Sequence, residues 1–103
     1  MEIKKVGEAV DFECTVYDID GEVPNLSGAT ATFYLGGVWN GVLLSKDCNI
    51  AGNVLSVSLL PQETGTHGKY VYEFWIDFNG TPYCVKTDFV VFDVALKEVP
   101  LGD

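Results

Sequence analysis

The sequence contains no arginine and a single histidine, His67. Its cations are six lysines, set against 15 acidic residues, for a net charge of −9. That balance argues against nucleic acid as a partner, because reading phosphates takes clustered Lys or Arg. An anionic membrane would repel the same surface. No apolar run approaches the roughly 20 residues of a membrane-spanning helix. The opening "MEIKKVGEAVDFE" has neither the apolar centre nor the small-residue cleavage site of a secretory signal. The expected location is therefore the cytoplasm of the producing cell. Cysteine is scarce and odd in number: Cys14, Cys48 and Cys84, with no CxxC pair. A disulfide framework or zinc site is not expected, and the thiols read as small buried or half-buried side chains. No helical periodicity of useful length is present.

What the chain does have is alternation. Its 103 residues, 48% hydrophobic and 20% charged, suit one globular domain over 1–103, with 96–103 as a loose tail. In residues 9–18, Val10, Phe12, Cys14 and Val16 share one face, and Asp11, Glu13, Thr15 and Tyr17 the other. Period two predicts a strand with one buried face. "DIDGEVPN" then marks a turn and loop. Residues 27–36 place Ala29, Ala31, Phe33 and Leu35 inward and Tyr34 outward. Residues 42–50 read as one weaker strand near an edge, where Lys46 would discourage stray pairing. Residues 53–59 turn Leu55, Val57 and Leu59 inward. "LPQETGTHG" has room for one helical turn.

Residues 69–78 carry the strongest pattern, with Tyr70, Tyr72, Phe74, Ile76 and Phe78 on one face. Val71, Glu73, Trp75 and Asp77 fall on the other. Asn79-Gly80 is a hairpin signal, and a last strand follows from Pro82. Such spacing predicts an all-β fold, an immunoglobulin-like β-sandwich of about seven antiparallel strands. In such folds a tyrosine can anchor the crossover before a central strand. Gly65 and Gly68 free the backbone there, and Tyr70 or Tyr72 is the candidate anchor.

Two blocks carry a resemblance. They are "GEAVDFECTVYDIDGEVPNLSGATATFYL" (7–35) and "GNVLSVSLLPQETGTHGKYVYEFWIDFNGTPYCVKTDFVVFDV" (52–94). The matching residues are Asp20-Gly21, Asn25-Leu26-Ser27-Gly28-Ala29-Thr30, Phe33, Leu60-Pro61, Glu63-Thr64, Gly68, Tyr70 and Tyr72-Glu73. Together they resemble the immunoglobulin-like domain of phage baseplate upper proteins and of small tailed-phage and prophage virion proteins. Baseplate members usually continue past this domain, whereas this sequence stops at Asp103. The motifs specify turns and core, so the resemblance carries over no catalytic residue. It implies a structural part of a virion that contacts other virion proteins or further copies of itself, made in the host cytoplasm and then built into the particle.

Candidate sites are few. "DIDGE" (18–22) has the flavour of a calcium loop but lacks the remaining oxygen ligands, and reads as an Asp-stabilised turn. His67 has no nucleophile or positioned acid beside it in the sequence. Acid pairs such as Asp11 with Glu13, or Glu73 with Asp77, sit on outward faces, where charge keeps a sheet wet. No enzyme, metal or cofactor is expected. Partner contact is expected at Trp39, in the glycine-flanked loop "LGGVWNG", and at Trp75, Tyr34 and Tyr17, if these form an exposed aromatic patch. The alternative for Trp75 is the core, with the tyrosine stripe outside. A patch of this kind with a polar rim would equally suit a carbohydrate- or host-surface-binding module.

Overall fold

The computed structural model describes residues 2–5, 9–17, 21–22, 24–37, 41–60, 63, 68–78 and 80–93. Among these are eight strands and no α-helix: β1 (Glu2–Lys5), β2 (Val10–Thr15), β3 (Thr30–Gly37), β4 (Gly41–Asp47), β5 (Asn49–Ala51), β6 (Val54–Leu59), β7 (Gly68–Phe78) and β8 (Thr81–Asp93). They form a five-stranded sheet, β1-β8-β7-β3-β4, and a three-stranded sheet, β2-β6-β5. No helix of the described residues is long and apolar enough to cross a membrane.

Alternation builds both faces of the core. Val10, Phe12 and Cys14 point inward from β2, and Leu55, Val57 and Leu59 from β6. Ala31, Phe33 and Leu35 of β3 meet them, with Tyr72, Phe74 and Ile76 of β7 and Val90 and Phe92 of β8. The centre is aromatic. Phe12 lies 5.0 Å from Phe33 and 4.8 Å from Tyr72, and Phe33 lies 5.3 Å from Phe74. Tyr72 is thus a core residue. Tyr70 sits at the strand entry, against Phe92 and beside the positive-φ Gly68.

The turn motifs explain themselves. Asn25 Oδ1 accepts the Ser27 N–H, and the Ala29 N–H donates to the Leu26 carbonyl. Gly28 takes φ +81° in the third position of that turn, as a type II turn requires. The result drives Leu26, a loop residue, into the core. In "LPQE" the Glu63 N–H donates to the Leu60 carbonyl, while the Glu63 carboxylate accepts the Leu60 N–H. Phe78 pairs with Thr81, so β7 and β8 reverse between these two residues, where a hairpin was expected.

Three features depart from the pattern expected. The stretch 42–50 is two strands in different sheets. The chain crosses at Cys48, whose N–H donates to the Ala31 carbonyl. Residues 2–5 form a strand that pairs in parallel with Val90–Asp93, so the pairing is not wholly antiparallel and the count is eight. Lys46 lies on an outer strand, as expected, but its side chain is turned inward. Its Nζ reaches across to the smaller sheet, donating to the Ser58 carbonyl at 2.8 Å and pairing with Glu63 at 3.0 Å. The Leu60 N–H and then Lys46 hold the Glu63 carboxyl below its ordinary range. Residues 94–103, including the expected tail, lie outside the described residues.

Candidate functional site

The outer face of the five-stranded sheet is the surface that the smaller sheet does not cover. Its residues follow from parity. β7 turns Val71, Glu73 and Trp75 outward, and β3 turns out Tyr34 and Gly36. The register sets Tyr34 beside Glu73 and Thr32 beside Trp75. On the other flank Glu73 pairs with Thr87, and Val71 with Phe89. Trp75 is therefore outward and half-buried, while the tyrosine stripe faces the core.

Two adjoining hollows cross this face. One, of about 290 Å³, is bordered by Tyr34, Gly36, Gly41, Val42, Val71 and Phe89. The next, of about 320 Å³, lies between Tyr34, Val42, Trp75 and Pro82. Glu73 borders both. Its two carboxylate oxygens are each held: Oε1 accepts from Trp75 Nε1 at 3.0 Å, and Oε2 from Thr87 Oγ1 at 2.9 Å. Cys84 Sγ extends the line, 3.3 Å from Thr87 Oγ1. These bonds fix the indole plane and keep an acceptor at the centre of an aromatic groove. At one rim Lys69 Nζ sits 4.5 Å from the Phe89 ring centroid, a cation–π contact. Val42 and Phe89 remain 62% and 42% exposed. An open aromatic groove around one fixed carboxylate offers recognition by stacking, apolar contact and a hydrogen bond or cation.

Of the residues expected to make contact, the structure brings Tyr34 and Trp75 together. Tyr17 is elsewhere, at one end of the sandwich beside Leu26, Phe78 and Tyr83. Trp39 and His67 lie outside the described residues, as do Asp18 and Asp20 of the loop considered for calcium. Among the described residues no group of three or more His, Cys, Asp or Glu side chains stands together as a metal site. Val42, Glu73 and Phe89 were not expected as groove residues. Glu73 was legible by parity, but its role depends on its neighbours across the register.

The thiols are spread over three environments: Cys14 buried, Cys48 half-buried and Cys84 exposed rather than buried. Burial raises the Cys14 thiol above its ordinary value. Burial and then Asp47 push Cys48 up to about 11. The thiolate is the nucleophile, so at pH 8 only about one Cys48 in a thousand is reactive at any moment. Iodoacetamide at that pH will label Cys84 well ahead of the other two, as peptide mass mapping over time will show. Equal labelling of Cys48 and Cys84 would contradict the packing described.

Comparison with protein-family models, with characterised proteins and with solved structures finds no match to this chain.

Proposed function

We propose that this chain is a non-catalytic immunoglobulin-like interaction domain, a structural component of a phage or prophage particle that works through protein–protein contact. Strand order supports the fold assignment. With the strands lettered in chain order, β8-β7-β3-β4 follows the G-F-C-C′ order of a variable-type sandwich, and β2-β6-β5 its B-E-D order. The virion role rests on the resemblance of residues 7–35 and 52–94. The observation that carries the contact role is the outer-face groove, where Tyr34 and Trp75 flank a carboxylate held at both oxygens. Aromatic residues at the centre of a patch supply most of the energy of a typical interface. The exposed edges offer strand addition besides.

The test is the chain's own whereabouts in a culture of the strain that encodes it, after phage induction. Mass spectrometry of gradient-purified particles should find the wild-type chain. A folded Trp75→Ala variant should be depleted from those particles by tenfold or more. A chain that stays wholly in the soluble lysate would sink the virion reading. A second reading, a carbohydrate- or host-surface-binding module, is favoured by the same observation, because an indole and a phenol beside fixed polar groups suit a sugar ring. Retention of the chain by glycans and not by particles, abolished by Trp75→Ala, would establish it instead.

A further inference from the structure

The two sheets are unequal in width, and the shortfall falls at one place. Tyr83 pairs with the buried Ile76 and so points to the inner side of its sheet. An inner-face residue of a closed sandwich is covered, yet Tyr83 is 54% exposed. Phe78, on the same face, meets it edge-on at 6.4 Å and is itself only half-buried. With Val16, Tyr17, Leu26 and Val85 they line an apolar cleft of about 650 Å³. The cleft opens between the end of β2 and the β7–β8 hairpin.

Among the described residues, both walls end in a strand edge that no other strand pairs. β2 is the outer strand of its sheet. β1 runs along β8 only at Val90–Asp93, and among the described residues no strand follows it along Thr81–Val85. In a four-stranded A-B-E-D sheet the strand beside B would occupy this place. Here β1 pairs with β8 instead, and among the described residues no strand lies on the other side of β2 from β6. The Val16 N–H is directed toward the β6 side, to the Asn53 carbonyl. Alternation then turns the N–H and C=O groups of Asp11, Glu13 and Thr15 toward the open edge. Their side chains stand on the outer face of the small sheet, all exposed.

We infer that the cleft between β2 and the β7–β8 hairpin receives an extended strand from a partner protein, apolar at alternate residues and basic between them. An extended strand satisfies the open edge of β2, whereas a helix would leave those groups unpaired in an apolar setting. Its inward residues fill the space over Tyr83, Phe78 and Val85. Its outward residues come to lie beside Asp11 and Glu13, where opposite charge is the favourable cross-strand neighbour. This site lies on the other face of the five-stranded sheet from the Trp75 groove and stands whether or not the groove reading holds.

The experiment uses the full chain and a short acetylated peptide alternating Lys and Val. One control has the same composition with the alternation broken, and another alternates Glu and Val. Binding is followed by titration calorimetry, and its location by amide hydrogen exchange. The Lys/Val peptide should bind and slow exchange at Asp11, Glu13 and Thr15. The double variant Asp11→Lys/Glu13→Lys should weaken it about tenfold and gain affinity for the Glu/Val peptide. Tyr83→Ser, at an exposed position that leaves the core intact, should weaken both. The inference fails if the broken-alternation peptide binds equally well, if protection appears on β4 instead, or if nothing binds at millimolar peptide. It fails too if the protein's own concentration protects β2 without peptide, for then the occupant is a second copy.

Discussion

Phe33→Ala will remove about 3–5 kcal/mol of folding stability. Phe33 is fully buried and pairs with Phe74 across β3 and β7. Its ring lies 5.0 Å from Phe12, 5.8 Å from Tyr72 and 5.3 Å from Phe74. Truncation loses the transfer free energy of the ring and leaves a cavity. Three rigid rings anchored on two strands, β2 and β7, of different sheets cannot close it without moving backbone. A domain of this size has only about 5–15 kcal/mol in total. The loss therefore lowers the thermal midpoint by on the order of 20 °C, readable by circular dichroism. Phe33→Leu keeps most of the volume and will cost less than about 1.5 kcal/mol. Tyr17→Ala, at an exposed position, will stay within about 0.5 kcal/mol of wild type. A Phe33→Ala midpoint within a few degrees of wild type would mean that the aromatic cluster is not what holds the sheets together.

The same cluster marks what a reader of the sequence can see. Phe12, Phe33, Tyr72 and Phe74 all sit in clean alternation, so the residues that share a face with each are legible without coordinates, but which face of β7 meets the core was not. Legibility stops where the chain keeps its pattern but changes partner. Leu44, Lys46, Cys48 and Ile50 continue one parity through the crossing from β4 to β5, and nothing local announces the change of sheet. It stops again in "TDFVVFD", where apolar residues run together. Val90 and Phe92 are buried while Phe89 is exposed. The phase is set by a register shift at Phe74/Trp75, which leaves Val85 as an extra residue. β1 was hidden because "EIKK" has one apolar residue and pairs with the far end of the chain. The groove shares this history. Tyr34 was visible as an outward aromatic, whereas Trp75 was open between the outer face and the core. Their meeting, and the part played by Val42 and Phe89, required the cross-strand register.

Gly36→Val will both destabilise the domain and open the groove. β3 and β4 slip register between Leu35 and Gly36: Leu35 faces Leu44, Gly36 faces Val42, and Leu43 is left as the extra residue of a bulge. The bulge presses the Gly41 carbonyl against Gly36. A Cβ there would overlap the carbonyl oxygen, lie 2.9 Å from its carbon and 3.3 Å from Val42 Cα. All three obstacles are backbone, so no side-chain rotation relieves them. Glycine is required by close approach rather than by an unusual φ. A branched side chain forces the strands apart, at a cost of about 3 kcal/mol, the upper range for overpacking. The consequence is local as well as global. Gly36, Gly41 and Val42 form one wall of the groove whose other walls are Tyr34, Val71 and Phe89. Separation of β4 from β3 removes that wall while leaving Glu73 and Trp75 in place on β7. Amide exchange in β4 should therefore rise sharply in Gly36→Val, with β7 protected in proportion to the remaining global stability. Particle association should fall with it if Val42 contributes to the contact surface. Unchanged β4 exchange and a midpoint within about 2 °C of wild type would mean that the strands absorb the clash. The bulge would then not be what shapes the groove.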